Sequence, residues 1–290
     1  MLITAPLAAA GGAALKASVD YETAFTGVVK TVDASKEKLA EFKQEIRDMS
    51  KEIPAAATSI AKVAESAGQL GIKNEALMGF TRTMTDMGVA TNMASDEAAT
   101  ALARLANITQ MPQKNFDRLG STVVALGNNL ATTESEIVEM GLRLAGAGHQ
   151  IGLTEAQTLS FAGALSSVGI EAEAGGSAFS RVMIDMAMAA QTGGKSLDNF
   201  ALVAGMTSAQ FKETFQRDAS QALIAFVEGL GRMSKAGENT FLMLDKLGLR
   251  SPAPDARSNV SRTRISLRPS LSSIRNVFSP AFDMRPKPST

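Results

Sequence analysis

The chain has 290 residues, of which 45% are hydrophobic, with no cysteine and a formal net charge of zero. The lack of cysteine excludes disulfide bonds, cysteine-ligated zinc and thiol nucleophiles. The balanced charge provides no global field that would attract nucleic acid or anionic lipid. Aromatic residues make up only 5%, so the apolar residues are mainly alanine, leucine, methionine, valine and isoleucine. The first three favour helices most strongly, whereas β-sheet cores favour aromatic and β-branched residues, so the composition predicts an all-α fold.

The first segment, residues 1–15, is apolar but fits neither a membrane span nor a secretory leader. It contains Pro6 and two glycines, and it is shorter than the roughly 20 residues that cross a bilayer. Its first basic residue, Lys16, follows the apolar run, whereas a signal peptide carries basic residues in front of it. We therefore expect no cleaved leader and no transmembrane helix. The Ala/Gly-rich stretch Ala8–Leu15 leaves a membrane-active helical protein open as an alternative.

A long N-terminal helix is predicted from Ser18 to Ile53, either unbroken or with one break. Its apolar positions follow an i, i+3, i+7, i+10 spacing, and charged residues occupy the other faces. The apolar positions are Leu39, Phe42, Ile46 and Met49. A single apolar stripe of this kind predicts either a coiled coil or the edge of a helical bundle. Pro54 is expected to end the helix.

From Pro54 to about Leu249, helical patterns alternate with glycines and small polar residues. The glycines are predicted to end helices, because a helix C-terminus often closes with a residue in the left-handed conformation. Those assigned this role are Gly71, Gly88, Gly127, Gly152, Gly169 and Gly205.

Helix starts are marked by threonines that have Glu or Gln three residues later, the pattern of a capping box. The pairs are Thr133 with Glu136, Thr154 with Gln157, and Thr207 with Gln210. Ser95 is a weaker helix start, because the two acidic residues that follow it suit the first turn, where the helix dipole favours negative charge. The spacing of these signals is irregular and does not match a solenoid repeat. The sequence therefore predicts about ten helices in an irregular helical bundle, without strands.

The C-terminal region differs in composition from the rest of the chain. Residues 251–290 contain seven Lys and Arg against two Asp, a charge of +5, and six of the nine prolines. They have no sustained apolar period, so we predict a disordered basic tail rather than a site for an anionic partner. Three domains are thus expected: 1–53, an apolar segment and a long charged helix; 54–249, a helical core domain; and 250–290, the tail.

Residues that could carry chemistry are few. His149 is the only histidine, and without cysteine it cannot build a typical zinc site. Gly146-Ala-Gly148 and Gly175-Gly-Ser177 lack the strand, glycine spacing and lysine of phosphate-binding loops, so they are interpreted as helix interruptions or close helix contacts. Glu171 and Glu173 suit the first turn of a helix better than a catalytic carboxylate pair. We expect no catalytic residue, no cofactor and no metal site, and hence no enzyme.

A methionine-rich run follows, with Met183, Met186 and Met188 beside Val182 and Ile184. Methionine fills irregular cores, so this run is predicted to be core. The alternative is an adaptable face that binds a partner.

The stretch from Leu119 to Ala190 resembles the core region of phage tail tape-measure proteins. The run that carries most of this resemblance is ALSSVGIEAEAGGSAFS, from Ala164 to Ser180. Shorter runs support it, namely Leu126–Asn129, Ala131–Ile137 and Arg143–Gly148, with Leu70–Ile72, Phe80–Met84 and Asn107–Ile108 upstream and Phe200–Met206 and Gly229–Gly231 downstream. The resemblance covers roughly residues 3–249. Tape-measure proteins are usually longer, so it implies a fragment or a truncated prophage copy.

The resemblance implies a structural protein of the virion tail that acts in tail assembly and tail-length determination and aids DNA ejection. It implies the tail tube protein and tail assembly chaperones as partners, together with self-association, the host cytoplasm as the place of assembly, and contact with the host membrane at infection. No specific nucleic acid is expected. A peptidoglycan-cleaving protein of the tail and a membrane-active helical protein stay open as alternatives.

Overall fold

The computed structural model describes residues 4–236, which form twelve α-helices and one 3₁₀ turn, with no strand in that range. In chain order the elements are α1 (Thr4–Thr31), α2 (Lys36–Glu52), α3 (Ala57–Gln69), α4 (Asn74–Ala90), α5 (Ser95–Thr109), the 3₁₀ turn (Gln113–Asn115), α6 (Phe116–Asn129), α7 (Glu134–Gln150), α8 (Glu155–Ser167), α9 (Ala172–Thr192), α10 (Gly194–Ala204), α11 (Ser208–Arg217) and α12 (Ala219–Lys235). The predicted all-α fold is confirmed. The expected tail of residues 250–290 lies outside the described residues.

The N-terminal region contains two helices, which agrees with the predicted alternative of a helix with one break. The helix α1 spans 28 residues and stops at Thr31. The helix α2 then begins after Ser35, whose Oγ accepts a hydrogen bond from the backbone N–H of Lys38 at 3.2 Å. A serine at this position satisfies one of the unpaired N–H groups of the first turn, and so it favours a new helix. The end of α2 at Glu52, just before Pro54, agrees with the prediction.

All three predicted capping boxes are present in the structure. Each threonine Oγ1 accepts the backbone N–H three residues later, and each Glu or Gln side chain accepts the threonine N–H in return. At Thr154 these two distances are 3.2 Å and 2.9 Å. The predicted weaker start at Ser95 is also confirmed as the first residue of α5.

The glycines divide into two groups. Four of the six that were predicted to end helices do so with positive φ angles of 73–80°: Gly71, Gly152, Gly169 and Gly205. The prediction was wrong for Gly88 and Gly127, which lie inside α4 and α6. At these two positions the missing side chain makes room for the side chains of Ser95 and Glu134. A helical glycine that permits close packing has the same sequence signature as one that ends a helix.

The contacts divide the chain into two compact units, with the division between Ala125 and Leu126. This division falls inside the predicted core domain of residues 54–249, and the predicted domain limits at 53 and 249 stay predictions. In the first unit α1 and α2 pack on α3, and α4 and α5 complete the bundle, so α2 forms a bundle edge. Phe80 and Phe116 meet edge to face there, with ring centroids 4.7 Å apart. The largest fully buried side chains of this unit are Phe42, Ile46, Ile60, Leu77, Phe80, Met84, Met87, Leu102 and Leu105.

The second unit is built from α7 to α12 around a separate hydrophobic core. Phe200 of α10 lies at its centre, with its ring centroid 5.2 Å from that of Phe226 in α12 and 6.2 Å from that of Phe211 in α11. Met183 and Met186 of α9 complete this core and are fully buried. Their burial explains why the methionine-rich run is apolar.

The packing is local in sequence throughout the described residues. Every extensive contact between helices joins elements that are no more than two positions apart in the chain, such as α1 with α3, α7 with α9, and α10 with α12. Such an arrangement has low contact order, because each helix is stabilised mainly by its near neighbours in sequence. None of the helices within residues 4–236 is both long and apolar enough to cross a membrane.

Candidate functional site

The single histidine lies in the last turn of α7. His149 is exposed and precedes the helix C-terminus by one residue, a position where a basic group interacts favourably with the helix dipole. In the described part of the chain, no group of three or more His, Asp or Glu side chains is placed to hold a metal ion. The expectation that the chain has no metal or catalytic site stays a prediction.

Both glycine pairs of the sequence analysis lie within helices. In α7, Gly148 adjoins Thr158 of α8, whereas Gly146 faces open space. In the first turns of α9, Gly176 adjoins the side chains of Arg143 and Met140 in α7. Gly148 and Gly176 thus allow helices to approach closely, and neither pair follows a strand as a phosphate loop requires.

The two carboxylates Glu171 and Glu173 lie at the start of α9, as expected. Glu171 is the N-cap residue and Glu173 lies in the first turn. Both side chains are exposed, so they face solvent rather than a cleft between opposed carboxylates.

A polar cluster that the sequence did not reveal joins α1 to α2. The Tyr21 hydroxyl donates a hydrogen bond to the Lys43 carbonyl at 2.7 Å. The Glu22 carboxylate pairs with Lys43 Nζ at 2.6 Å and with an Arg47 guanidinium nitrogen at 3.4 Å. The Arg47 guanidinium also lies 4.8 Å from the Tyr21 ring centroid, a cation–π geometry.

The environment of this cluster suppresses ionisation of the tyrosine. Burial raises the pKa of Tyr21 to about 12. The positive charge of Arg47 lowers this pKa, but by less than burial raises it. The Tyr21 hydroxyl therefore stays a hydrogen-bond donor at neutral pH. The groups of the cluster satisfy one another, so the arrangement supports a structural role in holding α2 against α1.

The helix α9 presents the most apolar exposed surface near the strongest part of the family resemblance. Met188 is 57% exposed and Ile184 is 39% exposed, while Met183 and Met186 on the opposite side are buried. Arg181 and the half-buried Asp185 form a loose ion pair on the same side, with 3.6 Å between Nε and Oδ2. The prediction that the methionine-rich run is core is thus confirmed for Met183 and Met186. The partner-binding alternative is confined to Ile184 and Met188.

Six exposed residues on this side of α9 are here named the α9 face: Ala174, Ser177, Ala178, Arg181, Ile184 and Met188. Their spacing places them along one side of a helix. The N-terminal half of the α9 face carries small residues, and its C-terminal half carries Ile184 and Met188. The α9 face therefore exposes two large apolar side chains among small and charged residues.

Comparison with known proteins identifies the kind of chain to which these helices belong. A family model described as phage-related minor tail protein matches residues 43–243. The matched region begins in α2 and includes all the later helices that the structure describes, α3 to α12. No curated protein and no solved structure matches the chain.

Proposed function

Because the chain belongs to the family of phage-related minor tail proteins, we propose that it acts as a tape-measure protein, whose length sets the length of the tail tube. The family establishes the broader statement that the chain is a structural component of a phage tail. The observation that carries the finer proposal is the family match over residues 43–243, which includes the tape-measure-like run Ala164–Ser180. On this proposal the chain works through its structure and not through catalysis.

The helical architecture supports this proposal. An α-helix rises about 1.5 Å per residue, so an extended helical chain converts residue number into length in a fixed ratio. The packing of the described residues involves neighbours along the chain rather than distant segments. Extension of the chain inside a tube would therefore remove few contacts between residues that are far apart in sequence.

Partners and location follow from the proposed role. The chain would contact the tail tube protein in the virion tail, bind tail assembly chaperones in the host cytoplasm and associate with further copies of itself. At infection it would leave the tube, reach the host membrane and assist DNA ejection. Binding to a specific DNA sequence forms no part of the proposed role.

A deletion in the gene of the phage that encodes this chain tests the proposal. Removal of residues 130–235, which covers α7 to α12, shortens an extended helix by roughly 160 Å at about 1.5 Å per residue. We expect the tails of assembled particles to be shorter by about this amount in electron micrographs. An in-frame duplication of the same segment should lengthen them equally.

A control variant distinguishes an effect of chain length on the tail from an effect of disturbed folding. The variant Phe200→Ala disturbs the core of the second unit but keeps the number of residues, so the tails that assemble should have the original length. Tails of unchanged length after the deletion would contradict the tape-measure role and leave the coarser role in the tail standing. Hydrolysis of peptidoglycan by the purified chain would contradict a purely structural role.

A further inference from the structure

The two compact units have separate hydrophobic cores. Phe80 and Leu102 are fully buried in the first unit, and Phe200 and Leu223 are fully buried in the second. The buried residues that cluster with Phe200 all lie within α7 to α12 or in the turns that join these helices. Burial of apolar side chains is the main force that stabilises a fold, so each unit has a source of stability of its own.

The N-terminal half of α6 is held by the first unit. The ring of Phe116, the first residue of α6, meets the ring of Phe80 edge to face, with 4.7 Å between the centroids. One turn later, the side chains of Thr83 and Met87 in α4 fill the space beside Gly120. This half of the helix therefore packs on α4.

The C-terminal end of α6 is held by the second unit. Glu134 of α7 lies against Gly127, which is in the last turn of α6. Leu130, the residue that follows α6, lies against Gly163 of α8. The backbone N–H of Leu130 donates a hydrogen bond to the carbonyl of Leu126 at 2.9 Å. The last turn of α6 is thus continuous with a residue that packs in the second unit.

The sequence of α6 gives this helix little stability of its own. Eight of its 14 residues are Gly, Ser, Thr, Val or Asn, all of which have a lower helix propensity than Ala or Leu. An isolated helix shorter than about 12–15 residues is marginal in water even when it is rich in alanine. The helical structure of α6 therefore depends on the packing at its two ends.

From the separate cores and the weak helix that links them in sequence, we propose that the chain contains two cooperative units that unfold independently, with their boundary inside α6. Residues 116–120 stay helical as long as the first unit is folded, and residues 126–130 stay helical as long as the second unit is folded. The second unit can thus lose its fold while the first unit keeps its own. The proposal does not depend on the tape-measure role.

The way in which a helix unfolds explains why α6 does not couple the two units. Only the first turn of a helix is costly to form, and residues at an end are added or lost one at a time. When one unit unfolds, α6 frays from that end, and the other end keeps its contacts. Little free energy is therefore transmitted from one unit to the other.

Hydrogen exchange of the full chain, resolved to single backbone amides, tests the proposal with a matched pair of core variants. Phe80→Ala should raise the exchange rates in α3 to α5 by about a hundredfold or more and leave those in α7 to α12 unchanged. Phe200→Ala should have the opposite effect. Within α6, the amide of Gly120 should respond to Phe80→Ala, and the amide of Leu130 should respond to Phe200→Ala.

Two further sets of variants complete the experiment. Leu102→Ala and Leu223→Ala repeat the comparison with a smaller change in each core, and they should give the same division of the chain. The control is Leu202→Ala, because Leu202 is 65% exposed and its removal should leave the exchange rates of both units unchanged.

Each outcome supports or contradicts the proposal. Complete loss of protection in one unit with unchanged protection in the other is a supporting result, since it shows that the remaining unit folds without its neighbour. Exchange that becomes faster to the same extent in both units after either substitution would overturn the proposal, because the chain would then be one cooperative structure. If the amides of Gly120 and Leu130 respond to the same substitution, α6 belongs to a single unit and the proposed boundary is wrong.

Discussion

The space that a Cβ atom on Gly229 would occupy is filled by the carbonyl oxygen of Val203. The two residues belong to α12 and α10, which pack side by side in the second unit. A backbone carbonyl cannot move away as the end of a flexible side chain can. Gly229 therefore sets how closely α10 and α12 approach one another.

The variant Gly229→Ala should consequently destabilise the second unit by about 2–3 kcal/mol, because the added methyl group forces the two helices apart. Hydrogen exchange of the backbone amides in α10 and α12 measures this loss as a lower free energy of opening. The control is Gly146→Ala in α7, where an added Cβ meets no atom within 4 Å. That variant should stabilise its helix by about 0.5–1 kcal/mol, because alanine is the better helix former. Equal responses of the two variants would contradict the packing described.

The capping box of α8 leads to a second prediction. Thr154→Ala removes the acceptor for the Gln157 N–H and should lower the free energy of unfolding by about 1 kcal/mol in urea. Thr154→Ser keeps the hydroxyl and should retain most of that stability. Gln157→Ala should cost at least as much as Thr154→Ala, because the Gln157 side chain also donates a hydrogen bond to Ser220 Oγ at 3.1 Å. If Thr154→Ser and Thr154→Ala lower the free energy of unfolding equally, the hydroxyl group at position 154 does not stabilise the start of α8.

Tyr21 supports a prediction of pH dependence. Its pKa of about 12 in the folded chain exceeds the ordinary value of 10.0, so the unfolded chain loses the phenolic proton at lower pH. The stabilising contribution of Tyr21 is therefore complete below pH 10, declines above it and is lost as the pH rises through about 12. Tyr21 is the only tyrosine and there is no tryptophan, so its phenolate absorbance can be titrated directly.

We expect this absorbance to change near pH 12 in the folded chain and near pH 10 in urea. The control variant, Tyr21→Phe, should lose about 1 kcal/mol of stability at neutral pH through the missing hydrogen bond. Its stability should also vary less than that of the unsubstituted chain above pH 10. Coincident titrations of the folded and unfolded chains would show that the phenol is not buried as described.

Two methionines of α9 form a matched pair for testing the core. Met183 has no exposed surface, whereas Met188 is 57% exposed. Met183→Ala should therefore lower the free energy of unfolding by about 2–5 kcal/mol, and Met188→Ala by no more than about 0.5 kcal/mol. Urea unfolding measures both changes in the free energy of unfolding. A reversed order would mean that α9 is rotated about its axis relative to the structure described.

The helix starts were predictable because their signal is local. At Thr133, Thr154 and Thr207 the cap and its partner are three residues apart, so the sequence contains the whole interaction. The buried positions Phe42, Ile46 and Met49 were predictable for the same reason, since helical periodicity identifies an apolar stripe.

Features that depend on contacts between helices were not predictable in this way. Gly88 and Gly127 were assigned to helix ends because the sequence does not show which side chain lies opposite a glycine. The division between Ala125 and Leu126 falls inside α6, where no change in composition marks it. Tyr21 and Arg47 are 26 residues apart, and only the turn between α1 and α2 brings them together.

The local packing of the helices has a mechanical consequence. If the chain is pulled from one end, each helix can separate after its near neighbours without being threaded past a distant segment. The highest force needed should then be set by one helix interface and should not increase with the number of helices. A chain built in this way can be drawn out progressively at a modest force and can refold in the same order when the load is released.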